Sequence, residues 1–307
     1  MKRAALLSLF VIAFCVLDAY SSPRIPVILD TDIGTDIDDA YALALVIASP
    51  ELDLQGVTTV SGDTQARARL AAKLLWAAGG AFRRVPVYAG EPGKPLPIEQ
   101  ARWAEHFTSP QLKSEKAVDY LRREFNARPG KITLITIGPL TNIGALLKQD
   151  PGVAKKIPRI VMMGGSIARG YEPGSGPTPE YNIAADVAAS RVVFDSGIPL
   201  IVAPLDVTAR LQLEGANLRR VSTHLTPVTD ALTLLYHLWG LPAPTLHDPM
   251  AIALYLDPSL CETKRLAVEV DAKGFTRVAE GKPANATVAL NVDREKFFQF
   301  YLSRVAP

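Results

Sequence analysis

Five carboxylates fall within ten residues in Asp30-Thr31-Asp32-Ile33-Gly34-Thr35-Asp36-Ile37-Asp38-Asp39. The apolar triplet Val27-Ile28-Leu29 precedes them, and the apolar run Ala40 to Ala48 follows. The triplet reads as a buried strand, and the run as a buried helix stopped by Ser49-Pro50. The acidic segment then sits at the carboxyl end of a strand, the edge where open α/β sheets bind ligands. Two of the carboxylates, at most three, have an ordinary use as helix caps or first-turn acids, each stabilising by up to about 1 kcal/mol. The others repel one another. Two carboxylates about 4 Å apart cost on the order of 4 kcal/mol at an effective dielectric near 20. A bound divalent cation removes that repulsion, and an all-oxygen ligand set points to Ca²⁺ or Mg²⁺ rather than zinc. The spacing is not that of an EF-hand loop, because no Glu closes it at the required distance.

The elements that must hold this segment alternate along the chain. Strands are expected at Gln55 to Val60, Val85 to Tyr88, Ile132 to Ile137, Ile160 to Met163 and Leu200 to Ala203. Helices are expected at Thr64 to Ala78, Ser114 to Ala127, Thr141 to Lys148 and Asp186 to Ser196, the last with Asp186 as its cap. Two stretches rich in Gly or Pro interrupt the pattern: a surface excursion at 91–113, and a loop at 164–180 long enough to be functional or mobile. The C-terminal third reads as a helix from Thr223 to Trp239, strands at Leu266 to Val270 and Thr287 to Val292, and a last helix from Arg294 to Val305. Continuous apolar strands separated by helices imply an α/β fold, an open, mostly parallel sheet with helices on both faces.

Composition narrows the function. Of 307 residues, 48% are hydrophobic and 21% charged, which excludes a disordered chain. The net charge of +2 and the lack of a long basic run argue against a nucleic-acid partner. Lys2 and Arg3 followed by the apolar stretch Ala4 to Val16 read as a secretory signal, with cleavage expected after Ser21. Residues 1–21 are thus expected to be a signal peptide and residues 22–307 one domain, exported to the periplasm or beyond, without a stable membrane anchor. Removal of that segment takes Cys15 with it and leaves Cys261 alone, so no internal disulfide is expected.

Four segments, taken in order, resemble the motifs of the inosine–uridine-type nucleoside hydrolases. Asp30 to Ala40 is similar to D-x-D-P-G-x-D-D-A, two residues longer and with Ile33 in place of Pro. Ile137-Gly138-Pro139-Leu140-Thr141-Asn142-Ile143 resembles T-G-P-L-T-N-I. Met163-Gly164-Gly165 followed by Glu180-Tyr181-Asn182 resembles M-G-G…E-F-N, and His247-Asp248-Pro249-Met250-Ala251 resembles H-D-P-L-A. The resemblance implies a Rossmann-like fold and a Ca²⁺-dependent enzyme that cleaves the N-glycosidic bond of ribonucleosides. It implies that Asp32 is both a metal ligand and the general base, and that Asp39, Asp248 and the Ile137 carbonyl complete the protein's share of the metal site. With water and two ribose hydroxyls the coordination reaches about eight, at the upper end for Ca²⁺ and too many for Mg²⁺. It further implies that Asp38, Glu180 and Asn182 hold ribose hydroxyls, with Met163 lining the sugar pocket, and that Asp30 supports the loop. His247 is the expected acid for the leaving base, and Trp239 a surface for it to stack on. The family also leads us to expect self-association as a dimer or tetramer.

The chain departs from the pattern at several positions. Besides the longer first loop, Asp63 stands where the family often carries a substrate-binding Asn, and Tyr171 lies near another such position. Val278 replaces a Gly after Thr276-Arg277. The preferred base therefore does not follow from the motifs. Two other readings start from the same acidic loop: a haloacid dehalogenase-type phosphatase with Asp30 as nucleophile, and an exported nucleoside- or ribose-binding protein without turnover.

Overall fold

The computed structural model describes residues 23–307, so the signal-peptide reading of residues 1–21 lies outside the described residues. Eleven strands are formed: β1 (Ile25–Thr31), β2 (Leu52–Thr59), β3 (Val87–Ala89), β4 (Leu112–Lys113), β5 (Thr133–Thr136), β6 (Ile160–Met163), β7 (Leu200–Ala203), β8 (Cys261–Leu266), β9 (Val268–Val270), β10 (Thr276–Val278) and β11 (Ala286–Val292). Nine build one sheet in the order β4-β3-β2-β1-β5-β6-β7-β11-β8. All neighbours in it are parallel except β11 and β8. β9 and β10 form a separate antiparallel ribbon.

Helices cover both faces. They are α1 (Asp38–Ile47), α2 (Thr64–Ala78), α3 (Ala117–Ala127), α4 (Thr141–Gln149), α5 (Tyr181–Ala184), α6 (Val187–Phe194), α7 (Leu205–Thr208), α8 (Gly215–Ser222), α9 (Pro227–Trp239), α10 (His247–Leu256) and α11 (Arg294–Val305). The two-residue period of a strand sends alternate side chains to opposite layers. Val27 and Leu29 enter the core shared with α1, α2, α10 and α11, whereas Ile28 enters the core shared with α3, α4 and α6. Both faces of β1 are therefore dry, which explains why the strand reads as an unbroken apolar run. On the second face α4 and α6 approach closely. A Cβ on Gly144 would lie 2.5 Å from the Cβ of Ala189, so only glycine fits at that crossing.

The order reverses at β1: β2 lies on one side of it and β5 on the other. In open α/β sheets the crevice at such a reversal, outside the carboxyl ends of the strands, is where ligands bind. The loops after β1 and β5 meet there.

Several expectations are adjusted by tertiary context. The helix read from Thr223 to Trp239 begins at Pro227; Thr223 to Thr226 form the turn that separates it from another helix, α8. Leu225 takes φ +58°, and Thr226 and Thr229 form a reciprocal capping box in front of Pro227, so the chain turns there. The excursion at 91–113 contains a 3₁₀ turn, Glu99–Ala104, and the edge strand β4. The strand expected at Leu266 to Val270 is divided between β8 and β9, and β10 had no sequence counterpart.

Candidate active site

A cavity of about 220 Å³ opens at the carboxyl ends of β1, β5 and β6. Its wall includes Asp32, Asp36, Asp38, Asp39, Glu180 and Asp248, and no Lys or Arg among the described residues lines it. Asp32 follows directly on β1. Asp38 and Asp39 occupy the first turn of α1, where the helix dipole favours negative charge. Neither caps the helix: the residue before it, Ile37, makes no side-chain cap, and the Ile37 N–H donates to Asp36 at 2.6 Å. Capping therefore does not account for these carboxylates.

Asp248 arrives from the other end of the chain, on the first turn of α10. Its backbone N–H donates to Asp38 Oδ2 at 3.2 Å. One oxygen each from Asp38, Asp39 and Asp248 lie within 4.8 Å of one another, and all three residues are buried. Burial and mutual repulsion raise the carboxyls of Asp38, Asp39 and Asp248 well above the usual range. Burial pushes Asp32 up to about 6, although the Arg67 guanidinium pulls it down. Hard oxygen donors converging in a buried, cation-free pocket fit a hard divalent ion. The converging trio contains Asp38 where the sequence reading placed Asp32; Asp32 lines the same cavity.

The remaining predicted residues fall in three groups. Ile137, Met163, Glu180, Asn182 and His247 all line the cavity. Asn182 Nδ2 donates to the Ile137 carbonyl at 3.1 Å and to the Met163 carbonyl at 3.2 Å, which ties the ends of β5 and β6 together. Glu180 accepts backbone N–H groups from Gly165, Asn182 and Ile183, yet burial still pushes its carboxyl up to about 7. His247 Nδ1 lies 2.9 Å from Thr208 Oγ1, and burial lowers its ring to about 4. Trp239 does not line the cavity itself, but lies close enough to the Asp36 side chain to lower its carboxyl. Asp63 is absent from the cavity wall. It caps α2, accepting the Ala66 N–H at 2.9 Å, because a polar side chain placed before a helix satisfies its free N–H groups.

Supporting contacts explain how so crowded a loop is held. Asp30 is fully buried; its Oδ1 accepts Thr58 Oγ1 at 2.5 Å and Asn142 Nδ2 at 2.8 Å. Burial pushes this carboxyl up to about 7. Thr31 Oγ1 donates to Asp39. Gly138 lets the loop after β5 close on Asp32: a Cβ there would sit 2.8 Å from Asp32 Oδ1.

Sequence reasoning did not reach four contributors. Arg67 is fully buried and donates to the carbonyls of Asp32, Ile33 and Ser61 and to Thr35 Oγ1, so it grips the acidic loop from α2. Asp206 accepts the Ile167 and Ala168 N–H groups, each at 2.8 Å, and anchors the long loop at 164–180. Thr276 Oγ1 exchanges hydrogen bonds with the Ser166 backbone, which pins the same loop to β10. Tyr181, half-exposed beside the cavity, had a signal in its place between Glu180 and Asn182 but no role assigned to it.

The family model described as inosine-uridine preferring nucleoside hydrolase matches residues 27–299. A protein named pyrimidine-specific ribonucleoside hydrolase RihA from Salmonella enteritidis is 32% identical, over 92% of this chain and 98% of its own. The solved structure of a plant nucleoside hydrolase is 28% identical with a TM-score of 0.80, covering 92% of this chain and 99% of that one. A purine-preferring ribonucleoside hydrolase from Gardnerella vaginalis is 26% identical with a TM-score of 0.76, over 92% and 98%.

Proposed function

The chain belongs to the inosine-uridine preferring nucleoside hydrolase family, enzymes that cleave N-glycosidic bonds of ribonucleosides, and on that premise we propose a calcium-dependent reaction with Asp32 as the general base. One observation carries the reading: buried carboxylates converge at the sheet's reversal point with no cationic side chain in the cavity wall. Asp39, Asp248, one oxygen of Asp32 and the Ile137 carbonyl would hold the ion. When bound, calcium supplies a Lewis acid that lowers the pKa of a water and orients it.

The chain's own groups do the rest. Asp38, Glu180 and Asn182 hold the ribose hydroxyls, and Met163 packs beneath the ring. Their buried polar atoms disfavour a sugar that lacks a hydroxyl, so ribose is preferred over deoxyribose. Asp32 stays ionised at neutral pH and accepts the proton of the attacking water. The water oxygen bonds to C1′, the bond from C1′ to the base nitrogen breaks, and the departing base keeps the electron pair. The transition state is oxocarbenium-like, as in glycoside hydrolysis. His247 is uncharged at neutral pH. In the tautomer whose Nδ1 accepts from Thr208, its Nε2–H can hydrogen-bond the departing base nitrogen and stabilise the negative charge that the base carries away.

Incubation with inosine, uridine, cytidine and adenosine should release free ribose, and EDTA should stop the release until calcium is restored. Nucleoside binding without ribose would instead support the receptor reading. Trapping of an aspartyl phosphate on Asp30 would support the phosphatase reading. A further expectation concerns the close approach at Gly138. Gly138→Ala should lower kcat about 100-fold, since a displacement near 1 Å is enough for such a loss. Unchanged turnover would show that Asp32 tolerates the displacement.

A further inference from the structure

The groups proposed to hold ribose are buried, with Asp38 at 4%, Glu180 at 2% and Asn182 at 5% exposure. The leaving base must then lie toward the mouth of the cavity. The exposed residues on the wall are Thr35, Asp36, Tyr171 and Tyr181. Two of these come from the lengthened acidic loop. The two tyrosines offer ring faces, and the Tyr171 hydroxyl accepts the Tyr181 N–H at 2.9 Å, which fixes the pair relative to each other. Tyr171 also meets His247 edge-on at 6.2 Å.

Asp36 differs from its neighbours in the cluster. It stands outside the converging trio of Asp38, Asp39 and Asp248 and is not among the groups proposed to hold the ion. The Ile37 N–H, donating at 2.6 Å, holds its carboxylate in place. A carboxylate offers about four acceptor sites and no donor when ionised, so sites remain open toward a ligand. Among the described residues no Lys or Arg lines the wall, so a substrate N–H can take those sites without competing with a fixed cation.

We propose that Asp36 is a specificity-determining residue that accepts an N–H of the leaving base, so that the preferred substrates are ribosides of aromatic bases carrying an N–H donor on the edge remote from the sugar. The proposal rests on the hydrolase reading for the position of the sugar. Its physical basis is that a site built to hydrogen-bond a donor rejects the analogue without one, because the acceptor is left unpaired.

The test compares adenosine with purine riboside, which lacks the 6-amino group, and cytidine with its analogue lacking the 4-amino group. For the calcium-loaded wild type, kcat/KM should fall at least about tenfold when the amino group is removed. In Asp36→Asn, whose amide presents an N–H₂ as well as an oxygen, the ratio should shrink below about threefold. Dissociation constants for the same four ribosides, measured on the Asp32→Asn protein, should show the same preference. Wild-type ratios near one, or Asp36→Asn lowering all four substrates equally, would overturn the proposal. Amino-group preference in binding with no ribose released would uphold Asp36 and overturn the hydrolytic reading alone.

Discussion

Asp32→Asn should reduce kcat by about 10³–10⁴-fold at saturating calcium, the upper range for loss of a positioned general base. The substitution keeps the shape of the side chain and an oxygen for the ion, and removes the ability to accept a proton. Calcium affinity should weaken only modestly, because Asp39 and Asp248 remain. The folded protein should not lose stability. Burial, with a smaller contribution from the charge of Asp36, pushes its carboxyl up to about 6, so neutralising it removes the cost of a buried charge in the metal-free state. The metal-free variant should therefore melt at or above the wild-type temperature at pH 8. A kcat loss smaller than tenfold, with calcium bound, would remove Asp32 from the role of base.

Removing the ion should make stability strongly dependent on pH. In the unfolded chain these carboxyls titrate near 3.8. In the folded chain burial pushes Asp32 up to about 6 and Asp30 up to about 7, and burial with mutual repulsion raises Asp38, Asp39 and Asp248 well above the ordinary range. Between those values the folded state binds more protons than the unfolded state, so stability falls as pH rises from about 4 through about 7. Each unit is worth about 1.4 kcal/mol, which makes Asp32 alone a loss of about 3 kcal/mol. EDTA-treated protein should melt roughly 6–12 °C lower at pH 8 than at pH 5. Calcium at 100 times its dissociation constant adds about 2.7 kcal/mol, and its effect should be larger at pH 8, where the ligands are already deprotonated. Melting curves across pH with and without calcium check this. A flat or rising melting temperature in EDTA would show that the cluster is not held against repulsion.

The legible parts of the molecule were those encoded locally. β1 and α1 were visible because an apolar triplet and an apolar run flank the acidic loop. The line from Ile137 to Asn142 was visible because a β-branched strand leads into it. What stayed hidden depends on partners far away in sequence. Arg67 reads as one more polar residue on a helix, and only the fold shows it buried against carbonyls more than thirty positions away. Asp206 carries no pattern, and Thr276 stood out only as part of a family-like segment with no role attached, because both act on the backbone of a loop. Asp63 looked like a ligand from its neighbours, whereas its geometry is that of a cap. The turn before Pro227 was missed because the apolar spacing runs on through it.

Asp38 and the backbone of Asp248 meet across 210 positions, and Tyr301 reaches back 260 positions to the carbonyl of Tyr41. The acidic cluster thus emerges first from the ribosome and its last carboxylate follows much later. A product truncated before α10 would carry the crowded charges without Asp248, the residue that completes the converging trio. On the proposed reading, a bound cation would then act as a seal on finished molecules and favour complete chains over fragments.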